Sequence, residues 1–156
     1  MRHWLMKSEP DVFSIDDLAK VDIEPWSGVR NYQARNFMRD DMREGDGVLF
    51  YHSSCAQPGV VGIARVASAA YPDPTQFDRR SEYFDAKARR ETPRWMLVDL
   101  RFERKLAGPI GLTELRAQPR LSDFALLQRG NRLSILPVTR QQWDVILGME
   151  SPRRGH

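Results

Sequence analysis

The chain has 156 residues, 41% of them hydrophobic and 29% charged, with a formal net charge of +3. That length suits one domain able to bury most of its apolar surface, and the composition excludes a disordered or low-complexity polymer. A charge this mildly positive neither requires nor excludes a nucleic-acid partner.

The longest apolar runs, Val48 to Tyr51 and Val60 to Ala64, are strand-sized and far short of the roughly 20 residues a membrane-spanning helix needs. The opening MRHWLMKSEP reaches a charged segment too soon to hold the core of a secretory signal. No membrane partner is therefore expected, and the expected location is the cytoplasm, or the nucleus in a eukaryote. A single cysteine, Cys55, excludes an intrachain disulfide, and His3, His52 and His156 are too scattered for a ligand cluster. The reading is of a monomer with no metal and no cofactor. Most of the basic residues are arginine, whose planar fork suits phosphates and base stacking, although a GC-rich genome gives the same bias.

In chain order, His3 to Lys7 is predicted as an opening strand and Ser8-Glu9-Pro10 as a turn. Ser14 with an acid three residues on forms a capping box for a short helix. Ala34, Phe37, Met38 and Met42 recur at helical spacing, which predicts a helix over 31–42. Glu44-Gly45-Asp46-Gly47 is a turn into the strand Val48 to His52, which pairs as a hairpin with Val60 to Val66. From Ala67 to Pro93 the periodicity dissolves into a long irregular connection, of a kind that often carries function.

Met96, Val98, Leu100 and Phe102 then alternate with Asp99, Arg101 and Glu103, the clearest strand pattern of the chain. Short helices are expected at 111–116 and 122–128 and a last strand at 133–138. Thr139-Arg-Gln-Gln142 is a second capping box, opening a helix that buries Trp143, Ile146 and Leu147. Residues 1–150 are read as one domain and 151–156 as a disordered tail. Strands broken by short helices, with no βαβ alternation, predict an α+β domain on a curved or closed sheet. No GxxxxGK or GxGxxG phosphate loop occurs, which argues against nucleotide-cofactor folds.

Three segments combine polar and aromatic groups beyond the needs of a core. Lys7-Ser8 sets a cation and a hydroxyl at a strand end beside a rigid turn. In Trp26-Ser-Gly-Val-Arg30-Asn31-Tyr32, Trp26 offers a flat face for stacking, Gly28 admits close backbone approach, and Asn31 presents both a donor and an acceptor. The plainer alternatives are that Lys7 is a solvated strand end, Trp26 is core and Asn31 is a helix cap. The third segment, Phe50 to Cys55, contains His52, Ser53 and Cys55, but there is no GxSxG elbow and adjacent strand residues point to opposite faces. Hydrolase chemistry there is disfavoured.

The segments WLMKSEPDVFSIDDL, WSGVRNYQARNFMRD, GDGVLFYHSS, GIARV, YPDPTQFD and RLSILPVT together resemble, in order and spacing, the EVE domain. The resemblance spans nearly the whole chain. It implies a PUA-like fold, a small curved β-barrel flanked by short helices, related to the YTH domains that read methylated adenine. It further implies a nucleic-acid-binding reader that accepts a flipped, modified base, such as a methylated or hydroxymethylated one, from single-stranded or base-flipped DNA or RNA.

Carried over residue by residue, the resemblance implies a pocket of Lys7, Ser8 and the wall Trp26, the lip Arg30, Asn31 and Tyr32, the hairpin hydroxyl Ser53, and the late segment of Arg132 and Ser134. A second aromatic wall would come from Tyr71, Phe77, Tyr83 or Phe84, with Phe77 favoured. The alternative is a small PUA-like amidohydrolase acting on a modified pyrimidine nucleoside through Lys7, Ser8 and Glu9. Neighbouring strand residues diverge, which weighs against that arrangement. A protein-binding adaptor has no feature of its own in the sequence.

Overall fold

The computed structural model describes residues 1–150, so the tail expected at 151–156 lies outside the described residues. In chain order the strands are β1 (His3–Ser8), β2 (Ile23–Pro25), β3 (Gly47–His52), β4 (Gly59–Val66), β5 (Tyr71–Pro72), β6 (Met96–Leu97), β7 (Asp99–Gly111) and β8 (Ile135–Val138). The helices are α1 (Ile15–Val21), α2 (Tyr32–Asn36), α3 (Leu112–Ala117) and α4 (Arg140–Gly148).

β1, β3 and β4 are nearly continuous apolar runs because both faces of the sheet are covered. Alternate residues serve opposite sides. Trp4, Met6, Val48 and Phe50 pack with Leu18 and Met38 on one face. Leu5, Leu49 and Tyr51 pack with Leu115, Phe124 and Trp143 on the other. The six-stranded sheet runs β2-β7-β4-β3-β1-β8, and β5 pairs with β6 as a separate two-stranded ribbon. Register shifts at Phe50/Tyr51 in the β3–β4 hairpin and at two points between β4 and β7 curl the sheet into a half-barrel, since each bulge bends and twists its strand.

β1 and β3 are parallel, with Lys7 opposite Tyr51 and Ser8 opposite His52. Their connection carries α1, β2 and α2, which is one crossover in a sheet expected to have none. Both capping boxes form: Ser14 Oγ accepts from the Asp17 amide at 3.1 Å, and Thr139 Oγ1 accepts from the Gln142 amide at 3.0 Å. The helix expected over 31–42 begins as α2 and widens into a π-turn over Phe37–Asp41, closed by the Met42 amide on Phe37 O at 2.9 Å. Asp46 is buried and accepts from the Trp4 indole at 3.0 Å and from the Arg43 and Arg2 amides at 3.0 and 3.1 Å, which ties the starts of β1 and β3 together.

Several boundaries differ from expectation. The strand expected to end near Glu103 continues to Gly111, because Lys105 and Ile110 still find partners in Gly62 and Val60. The region 122–128 holds a single 3₁₀ turn, Ala125–Leu127, preceded by another at Pro119–Leu121, and the last strand starts at Ile135. Among the described residues no helix is long and apolar enough to cross a membrane.

Candidate functional site

Where β1 ends, a cleft of about 500 Å³ opens between the turn after Ser8, the segment 24–30 and the loop that carries Glu82 and Tyr83. Small-molecule sites commonly fall between about 300 and 1,000 Å³, so a single base fits this volume. Of the residues singled out in the sequence, Lys7, Ser8, Trp26, Arg30 and Ser134 line it. Asn31, Tyr32, Ser53, Phe77 and Arg132 lie outside its lining.

Lys7 is half-buried at the end of β1, its amide bonded to Ser134 O at 2.8 Å. Its ammonium has no hydrogen-bond or ion-pair partner among the described residues, and burial holds its pKa below the ordinary lysine value. Ser8 donates its hydroxyl to Phe13 O, which leaves its oxygen able to accept but commits its proton. The neighbouring Glu9 is exposed on the turn. Trp26 is fixed through its amide on Val98 O at 2.9 Å and by near-perpendicular ring contacts with Phe13 and Phe50, at centroid distances of 5.9 and 5.7 Å.

Gly28 has φ +85°, and a Cβ there would meet the Tyr83 ring at 2.7 Å. Only glycine satisfies both the left-handed backbone and the close approach. Its amide donates to Asp73 Oδ2 at 2.8 Å. Asp73 is fully buried. Burial acts to raise its pKa, but hydrogen bonds from Thr75, Gly28 and Arg30 outweigh this and hold the carboxyl below its ordinary value.

Arg30 is the cross-link of this wall. Its five N–H donors meet Tyr83 O twice, Val29 O, Asp73 Oδ2 at 3.1 Å and Thr75 Oγ1 at 3.0 Å. The guanidinium also sits 5.5 Å from the Tyr83 ring and 5.3 Å from that of Trp95. Trp95 stacks on Tyr32 at 4.8 Å, and Arg35 caps Tyr32 at 4.7 Å. A ladder of stacked rings and cations thus runs from the cleft to the surface, each rung contributing about 0.5–2 kcal/mol. Buried Gln76 closes the loop behind it, donating to Asp73 O and Trp95 O and accepting from the Arg94 and Trp95 amides.

The remaining singled-out residues have structural places. Asn31 caps α2, accepting from the Ala34 amide at 3.0 Å, and Tyr32 belongs to the ladder. The Ser53 amide binds Ser8 O at 3.0 Å and so ends the β1–β3 pairing. Phe77 lies beneath Arg90 at 4.8 Å, and Arg132 is exposed. It is Tyr83, one of four candidate aromatics, that lines the cleft. Asp73 and Glu24 escaped the sequence reading. The helix-capping pair Asp73-Pro74 was a usable signal for the first, whereas nothing marked Glu24. Among the described residues no three His, Cys, Asp or Glu side chains gather so as to hold a metal ion.

A curled six-stranded sheet flanked by short helices, with a polar and aromatic cleft at a strand end, defines a PUA-like module. The chain belongs to the EVE domain family, whose model matches residues 2–149. Thymocyte nuclear protein 1 of Gallus gallus is 40% identical over 170 residues, covering 97% of this chain and 69% of the relative. Human THYN1 in complex with 5-methylcytosine-containing DNA superposes with a TM-score of 0.91 at 38% identity, covering 99% of this chain and 100% of that one. A protein from Pseudomonas putida superposes equally well, with a TM-score of 0.91 at 51% identity over 94% of this chain and 97% of its own.

Proposed function

We propose that this chain is a non-catalytic nucleic-acid-binding reader that takes one base, flipped from its strand and carrying a methyl or hydroxymethyl group, into the cleft between Trp26 and Tyr83. The observation that carries this reading is the union in one cleft of a rigidly held tryptophan with Lys7, a half-buried cation lacking a protein partner. An unstacked base offers a π face to the first and a hydrogen-bonding edge to the second. The DNA bound by the human relative supports DNA as the strand. The vertebrate relatives carry "nuclear" in their name, which supports a nuclear site of action in eukaryotic cells.

Arg30 spends its donors inside the protein, so phosphate contacts fall to exposed arginines such as Arg132. The test is fluorescence anisotropy with oligonucleotides carrying a single modified base. Stacking on an aromatic side chain is worth about 1–3 kcal/mol, so Trp26→Ala weakens binding by about 5- to 150-fold and erases preference among bases. Arg132→Ala instead lowers the salt slope by about one while keeping the preference. Equal affinity of wild type and Trp26→Ala for every modified oligonucleotide would overturn the reading.

A further inference from the structure

We infer that Glu24 is the residue through which the cleft selects a base bearing an exocyclic amino group. This rests on the base-reader function proposed above. Glu24 sits in the middle of β2, where its backbone is fixed opposite Leu100 of β7. Its strand neighbours Ile23 and Pro25 are exposed, while Glu24 itself is half-buried and, together with Pro25, lines the cleft. Its carboxylate makes no hydrogen bond or ion pair with any described residue, and burial raises its pKa above the ordinary value. A desolvated carboxylate with unused lone pairs gains most from an N–H donor brought by a ligand.

The charge inventory of the cleft points the same way. Three carboxylates, Glu9, Glu24 and Glu82, share it with two cations, Lys7 and Arg30. Arg30 has no donor left, so among the described residues lining the cleft Lys7 is the one cation free to meet a ligand. That balance repels a phosphate and suits a neutral group that carries both N–H donors and an acceptor. The edge of cytosine is such a group: its amino nitrogen donates to a carboxylate, and its ring nitrogen and carbonyl accept from an ammonium. Thymine puts a carbonyl oxygen where cytosine has the amino group, and Glu24 repels it.

The experiment uses two single-stranded fluorescent oligonucleotides that differ only in a central 5-methylcytosine or thymine, so that both bases carry the same methyl group. Wild type is expected to prefer 5-methylcytosine by about 5- to 100-fold, the discrimination typical of a well-placed side-chain pair. Glu24→Gln keeps the shape but replaces half of the acceptor with a donor. It is expected to bring the ratio within about threefold by weakening the first and strengthening the second. An unchanged melting temperature shows that the variant is folded.

An unchanged ratio in Glu24→Gln, or no preference in wild type, overturns the assignment. If Trp26→Ala then still weakens binding of both oligonucleotides, the cleft is a base site and only the role of Glu24 falls. If neither variant alters binding, the base-reader function falls with it.

Discussion

The two sides of the cleft are held by different forces. The β1 side rests on a sheet buried on both faces, where Trp4, Met6 and Phe50 on one side and Leu5 and Leu49 on the other contribute through apolar area. The opposite side, the segment 71–95, is held by a small set of polar residues: Asp73, Gln76 and Arg30, with rings stacked between them. Apolar packing is distributed and tolerant, whereas a polar network depends on every member having its partner. One side therefore sets whether the chain folds, and the other sets whether the cleft has its second wall.

The largest expected effect is on the sheet. Trp4→Ala removes a buried indole and leaves Asp46 without one of its donors, costing about 3–5 kcal/mol in urea denaturation, with all probes moving together. Asp73→Ala should cost about 3 kcal/mol, because it strands Arg30 in a partly buried place, but the loss is expected to be local. Hydrogen exchange should then quicken at the amides of Gly28, Thr75 and Trp95 while those of β3 keep their protection. A global loss like that of Trp4→Ala would show that the two sides are one cooperative unit.

The smallest effect is a pH dependence at the junction of α1 and the sheet. His52 Nε2 accepts from the Ile15 amide at 3.1 Å, which only the neutral ring can do. Burial lowers the His52 pKa below its ordinary 6.5, and burial followed by Arg140 does the same for His3. The unfolded chain then binds more protons than the native one between the lowered values and 6.5. Stability is complete above about 6.5 and is lost as pH falls towards the native values. Melting temperatures at neutral and mildly acidic pH should show this, and His52→Gln, which keeps an acceptor, should flatten part of the slope. A slope unchanged in that variant would exclude His52 as a cause.

What the sequence disclosed follows the same division. Both capping boxes were legible because each is closed within four residues, and the β3–β4 hairpin because its turn and its apolar runs are adjacent. β2 was not legible, since three residues with little apolar pattern become a strand only by pairing with β7. The cleft residues Lys7, Ser8, Trp26 and Ser134 were named from their types and from the family pattern, and the structure brings them together. Arg30 was placed at the lip by the family pattern, and its engagement by Asp73 was not legible because that partner lies far along the chain. Tyr83 rather than Phe77 lines the cleft because its ring packs against Gly28, a contact between residues far apart in the chain.

The place of β1 between β3 and β8 also governs the order in which the molecule assembles. Residues 3–6 pair on one side with 47–50 and on the other with 135–138, and the Lys7 amide is secured by Ser134. The first strand therefore gains its β3 partner early but keeps its other edge open until residues 135–138 have been made. Such long-range pairing slows folding, because the closure entropy precedes the contacts that offset it. Until residues 134–138 are in place, the floor of the cleft lacks the bond from the Lys7 amide to Ser134 O, so the cleft is completed only after the segments that form its other walls.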